Sequence, residues 1–162
     1  MEKKSLKDTI IPTLNMNKMK GREIIRDWRM TKRPASPAAA LRPGNIAFCR
    51  KYQATTVPEW DINPCILIFN TSSSYVLGFN VNWLSRSQRK MMINIIAREY
   101  KTNKGNMDRM QRLRLFKKLK KFNFTRKAIR VYHRSVLAKS AIYQLTTGEF
   151  FEACTHNLIL NS

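Results

Sequence analysis

Acidic side chains are scarce: ten Asp and Glu stand against 31 Lys and Arg in 162 residues, a formal net charge of +21. The ten are Glu2, Asp8, Glu23, Asp27, Glu59, Asp61, Glu99, Asp108, Glu149 and Glu152, and they form no paired-carboxylate motif. A metal-dependent nuclease needs clustered acids around its ion, and the sequence assembles no such cluster, which argues against that chemistry. His133 and His156 are the only histidines and neither belongs to a triad-like pattern; His133 reads as a phosphate or partner contact. Five glycines make no phosphate-cradling loop. Three cysteines, at 49, 65 and 154, are odd in number and lack close metal-ligand spacing. Cys49 and Cys65 fall in apolar runs, where a thiol is expected to act as a small buried hydrophobe. No apolar run approaches the ~20 residues that span a bilayer, and MEKKSLKDTI is not followed by a signal-peptide core. These absences predict a soluble intracellular protein that is not an enzyme, holds no metal or cofactor and avoids membranes.

What the chain does have is positive charge, unevenly placed. Residues 1–42 carry eleven bases and four acids, residues 43–100 six and three, and residues 140–162 none and two. Between Lys101 and Lys139 there are fourteen bases and one acid, Asp108. Such self-repulsion is sustained where a polyanion or an acidic partner neutralises it. The nearly neutral middle and a hydrophobic fraction of 43% predict one foldable domain rather than a disordered basic chain.

Residues 1–42 read as a basic arm. Ile24, Ile25 and Trp28 oppose Arg22, Arg26 and Arg29, which predicts a short amphipathic helix. Arg33 to Gly44 holds three prolines, so it cannot be one helix; Pro43-Gly44 predicts a turn into the next element. Residues 43–162 then form the domain. Asn45–Tyr52, Cys65–Phe69 and Tyr75–Val81 are strand-like, the last two a hairpin across Asn70–Ser74. Three such strands make a meander, which strong twist would close into a small barrel. Ser85 with Gln88 predicts a capped helix to about Tyr100, with Met91, Met92, Ile95 and Ile96 inward. A helix from Asn106 to about Lys121 would bury Met110, Leu113, Phe116 and Leu119. A third would run from a Thr125 cap through Ala128, Ile129, Tyr132 and Val136. Ser140–Leu145 predicts a strand, and Thr146 with Glu149 another cap before a short helix. The expectation is an α+β domain with a small antiparallel, barrel-like or open sheet, helices packed on one side and a basic N-terminal arm.

The segment Arg109–Lys121 carries seven bases and no acid: Arg109, Arg112, Arg114, Lys117, Lys118, Lys120 and Lys121. An ordinary solvated helix face mixes signs, because Glu–Lys pairs four apart support the helix. Arg126, Lys127, Arg130 and Arg134 extend the series. All eleven are candidate nucleic-acid contacts, with Arg22, Arg26, Arg29, Lys32 and Arg33 as arm contacts. Trp60, Trp83, Tyr52, Tyr75 and Phe79 lie in or beside the strands and read as core rather than as base-stacking platforms.

Pro43-Gly44, Tyr52, Asp61-Ile-Asn-Pro64, Tyr75-Val-Leu-Gly-Phe-Asn-Val-Asn-Trp-Leu84, Ala128-Ile-Arg-Val-Tyr132 and Glu149-Phe-Phe-Glu-Ala153 together form a pattern. It resembles a group of small proteins of large tailed bacteriophages. They share a Pro-Gly start, an aspartate three positions before a proline ahead of an apolar strand, and a Leu-Gly-x-Asn-x-x-x-Leu stretch before a helix. Asn82-Trp83 stands where that pattern has His-Tyr. The resemblance implies a virion protein of head, neck or tail, assembled in the host cytoplasm among other subunits, and it brings no catalytic residues. The expected function is thus a non-enzymatic particle component contacting nucleic acid, DNA ahead of RNA. Two alternatives stand beside it: an RNA-bound component of a ribonucleoprotein such as a ribosomal protein, and a protein-only tail or baseplate joint whose bases meet acidic subunits.

Overall fold

The structure, a computed structural model, describes residues 32–50 and 63–155. The Gly21–Met30 helix, Tyr52, Trp60 and the arm bases Arg22, Arg26 and Arg29 lie outside them. Five strands, β1 (Ile46–Arg50), β2 (Cys65–Thr71), β3 (Tyr75–Asn80), β4 (Ile129–His133) and β5 (Ala141–Leu145), form one antiparallel sheet in the order β4-β3-β2-β1-β5. The helices are α1 (Pro37–Ala40), α2 (Arg86–Thr102), α3 (Arg109–Leu119), α4 (Arg134–Leu137) and α5 (Thr147–Thr155), with 3-10 turns at Val81–Trp83 and Asn123–Ala128. The class is α+β. The sheet stays open, with β4 and β5 at opposite edges, so the barrel-like alternative is not adopted.

Both faces of β1 and β2 are buried, which is why these two strands read as nearly continuous apolar runs rather than strict alternations. On one face Ile46, Phe48, Cys65, Leu67, Phe69 and Phe79 pack against α2, α3 and α5. On the other, Ala47, Cys49, Ile66, Ile68, Val76, Tyr132 and Ile142 pack against Ala40, Leu41 and Leu137. Residues 35–41 are therefore built into the domain. The amide of Ala35 donates to Ile142 O (2.8 Å) and Asn45 Nδ2 closes α1 by donating to Ala39 O (3.0 Å) and Ala40 O (3.2 Å).

The capping patterns form as the sequence dictates. Ser85 and Gln88 exchange hydrogen bonds at the start of α2, and Thr146 and Glu149 do so before α5. Asp108 and Gln111 make a third such box, so α3 begins at Arg109 rather than at Asn106. In both long helices Met92, Ile96, Phe116 and Leu119 are buried as expected, but the buried stripe is shifted by about one position. Met92, Ile93, Ile96 and Ala97 are buried in α2, and Leu115, Phe116 and Leu119 in α3, while Met91 and Met110 face solvent.

The expected third helix is a correction. Thr125 does not open a helix; its hydroxyl lies 2.7 Å from Leu119 O and 2.8 Å from Phe122 O, closing the end of α3 instead. Residues 129–133 then form β4. Ile129 and Val131 are β-branched and favour extended backbone. Tyr132 turns inward, where its hydroxyl accepts from Asn80 Nδ2 at 3.0 Å.

All three thiols are free and buried. Burial pushes Cys49 up from 9.0 to about 12, against a smaller lowering by a hydrogen bond with Ser140. Cys65 and Cys154 are raised for the same reason. The stability these neutral thiols contribute is intact below the unfolded value near 9 and declines as pH rises towards the folded values. Urea midpoints measured at pH 8 and pH 10 should therefore fall more steeply for the parent chain than for Cys49→Ala, by about 1 kcal/mol of unfolding free energy. Equal pH slopes would refute the assignment.

Candidate nucleic-acid interface

The bases of α3 divide into two sets once their surroundings are known. The first set is used internally. Arg112 is on the sheet-facing side of the helix, and its guanidinium donates to Gly44 O (2.8 Å) and Met107 O (2.7 Å). Arg109 Nη1 donates to Pro43 O at 2.9 Å. The Pro43-Gly44 turn is thus tied to the first two turns of α3. Burial pulls the Arg112 guanidinium below its ordinary pKa; Asp108 opposes that shift and Arg109 adds to it.

Gly44 makes this docking possible. Its φ is +91°, and a Cβ there would strike the Arg109 carbonyl oxygen and sit 2.9 Å from Arg109 Cγ. Arg112→Gln should destabilise the fold by about 2 kcal/mol, the scale of losing charged hydrogen bonds to buried carbonyls. The polyanion affinity of the folded variant should stay within about twofold. A large affinity loss without a stability loss would return Arg112 to the contact set.

Other candidates also have partners within the chain. Lys118 Nζ lies 3.1 Å from Glu99 Oε1, at the surface, where such pairs contribute little to stability. Lys120 Nζ stands 4.8 Å from the Phe69 ring centroid. The Arg130 guanidinium stacks on Trp83 at 3.8 Å. Lys32 is drawn to the far end of the sheet, 2.8 Å from Glu149 Oε2 and 3.3 Å from Gln144 O. Arg33 is exposed and Arg134 half-buried in α4.

The second set faces solvent. Arg114 and Lys117 stand opposite the buried Leu115, Phe116 and Leu119, and Lys121 continues their line in the closing turn. Met110, 48% exposed, extends the same line at the N-terminal end. From Arg114 to Lys121 this ridge is roughly 10 Å long at ~1.5 Å per residue. Arg126 and Lys127 are exposed on the 3-10 turn that follows. That turn is folded back tightly by the amides of Lys121, Phe122 and Thr125, which donate to Lys118, Leu119 and Phe122. None of Arg114, Lys117, Lys121, Arg126 and Lys127 has an ion pair among the described residues. Lysines at the C-terminal end of α3 also complement the partial negative charge of its terminal carbonyls, which lowers the cost of gathering them there.

Sequence periodicity missed the inward turn of Arg112 because an arginine is ordinarily placed on the polar side. The usable signal was Asp108 with Gln111, a capping box that fixes the helix start and therefore its phase. Among the described residues no three His, Cys, Asp or Glu come together to hold a metal, and no helix is long and apolar enough to cross a membrane. Comparison with protein-family models, curated proteins and solved structures finds no match to this chain.

Proposed function

We propose that this protein is a non-enzymatic structural component of a bacteriophage particle. It lies against packaged nucleic acid, DNA ahead of RNA, through the ridge Arg114, Lys117 and Lys121 with the adjoining Lys118, Arg126 and Lys127. One observation carries the reading. After folding has drawn Arg109, Arg112 and Arg130 into internal contacts, the ridge bases still point outward with no ion-pair partner among the described residues. A solvated helix kept for solubility alone would carry both signs.

Binding on this reading is electrostatic and indifferent to base sequence. Each base set against a phosphate releases condensed counterions, so affinity falls with a log–log salt slope of about −0.9 per phosphate on duplex DNA. The particle assignment rests on the pattern of residues described above. Two of them, Gly44 and Gly78, serve close approaches of the backbone: a Cβ on Gly78 would lie 2.5 Å from Ile66 Cγ2 and 2.6 Å from Leu67 O.

The experiment is a salt titration of the full chain with duplex DNA and, in parallel, with a structured RNA hairpin. A steep inverse dependence on salt with duplex at least as tight as hairpin is the expected result. Tighter binding of the hairpin would favour a ribonucleoprotein. No binding to either at ~0.15 M salt, where the screening length is about 8 Å, would leave acidic protein subunits as the neighbours of the ridge.

A further inference from the structure

The two edges of the sheet are treated differently. At the β5 edge, the amide of Ala35 donates to Ile142 O and Lys32 Nζ reaches Gln144 O. The preceding chain therefore covers part of that edge. The β4 edge has no such cover among the described residues. The amide of Arg134 donates to Ser74 O at 2.9 Å, which sets the phase of the β3–β4 ladder. With Val76 opposite Tyr132 and Gly78 opposite Arg130, these are the mutually bonded pairs, and the intervening residues of β4 point their backbone groups away from β3. The carbonyl of Ile129, both polar groups of Val131 and the amide of His133 therefore face outward. An exposed edge of this kind is a template for another strand.

The side chains beside that edge are unusual for a guarded one. Val131 is 59% exposed and Tyr75 46%. With Leu77 and the Asn70–Ser72 turn they line a shallow concavity of about 190 Å³. Basic residues surround the strand: Arg126 and Lys127 precede it, Arg130 lies on its opposite face, and Arg134 follows it.

We propose that the outer edge of β4 is a docking site for an extended acidic segment of a partner protein, which adds to the sheet as a sixth strand. Main-chain hydrogen bonds to Ile129, Val131 and His133 provide the pairing. The residue opposite Val131 falls on the Val131 side of the sheet and is apolar, seated over the concavity with Tyr75 and Leu77. Its neighbours in the segment point to the other face, and there and at the strand ends carboxylates meet Arg130, Arg126, Lys127 and Arg134. The occupant is chosen by charge: Arg126, Lys127 and Arg134 have no ion pair among the described residues, and an uncharged or basic strand would leave these three without an acidic partner, while Arg130 is already stacked on Trp83. The site shares Arg126 and Lys127 with the nucleic-acid surface proposed above but none of the ridge bases Arg114, Lys117 and Lys121.

The test uses the full chain and a fluorescently labelled octapeptide alternating Val and Glu. An otherwise identical peptide carries N-methyl groups on every amide of one edge, and an all-Glu octapeptide controls for charge. The alternating peptide should bind at least tenfold more tightly than either control, and amide hydrogen exchange at Val131 and His133 should slow in its presence. Val131→Asp should lose at least tenfold in affinity, while glutamine substitution of Arg114, Lys117 and Lys121 should change it less than twofold. Because the N-methylated peptide leaves the protein untouched, misfolding of a variant does not obscure the result. Equal binding of all three peptides, or unchanged exchange at Val131 and His133, overturns the proposal.

Discussion

Duplex DNA should bind the chain carrying Arg114→Gln, Lys117→Gln and Lys121→Gln roughly 100-fold more weakly at ~0.15 M salt, with a log–log salt slope about 2.7 shallower. The magnitude follows from counting. Each phosphate neutralised contributes a slope near 0.9, and at ~0.15 M salt each lost contact lowers affinity about fivefold. Three contacts multiply to roughly two powers of ten. Glutamine keeps the helix propensity and much of the aliphatic stem, and none of the three side chains packs in the core. Urea stability should therefore move by less than about 0.5 kcal/mol, as for ordinary surface substitutions. Glutamine at Arg109 and Arg112 would not be neutral, because these two side chains hold the turn that precedes β1. An unchanged salt slope in the triple variant would sink the ridge as the contact surface, whatever the absolute affinity.

The largest stability effect is expected at Gly44. Gly44→Ala should lower the unfolding free energy by about 3–4 kcal/mol, a large part of the 5–15 kcal/mol that holds a domain together. Two separate penalties add. The backbone is at φ +91°, where a side chain is strained. The new methyl would also meet the carbonyl of Arg109, which is backbone in the first turn of α3 and cannot swing away as a side-chain tip would. Relief requires α3 to move off the turn, which stretches the bonds from Arg112 to Gly44 O and from Arg109 to Pro43 O. Gly148→Ala is the control. It lies in α5, where a Cβ would find only ordinary contacts at 3.8 Å to Tyr100 and 3.9 Å to Thr146. That change should be neutral or stabilise by up to about 1 kcal/mol. Equal effects of the two substitutions in urea titration would contradict the packing described for the turn.

Much of this architecture is legible before any coordinates. The β2–β3 hairpin, the Ser85 and Thr146 caps and the final strand all announce themselves through local chemistry. The errors share one cause, tertiary context overriding a local pattern. Residues 128–136 offer apolar side chains at helical spacing, yet Gly78 leaves no Cβ opposite Arg130, Tyr132 finds Asn80, and the segment pairs as β4. Thr125 resembles an N-cap from its sequence neighbours but finds the carbonyls of the helix behind it. In α2 and α3 flexible methionines made the apolar stripe ambiguous by one position, and Met91 and Met110 ended outside. Of the candidate site, the concentration of bases was visible. The division between Arg109 and Arg112, which serve the fold, and Arg114, Lys117 and Lys121, which face outward, required knowing where the Pro43-Gly44 turn lies.

The position of β1 inside the sheet, between β2 and the edge strand β5, has a bearing on biogenesis. One of its neighbours, β2, follows closely in the chain, but the other is β5, with Ile46 beside Leu145 and Arg50 beside Ala141. Pairings of such long separation close slowly. On the ribosome, β1 must wait unpaired along one side until β5 emerges. Throughout that wait the nascent chain exposes both its half-built sheet and its cationic helix.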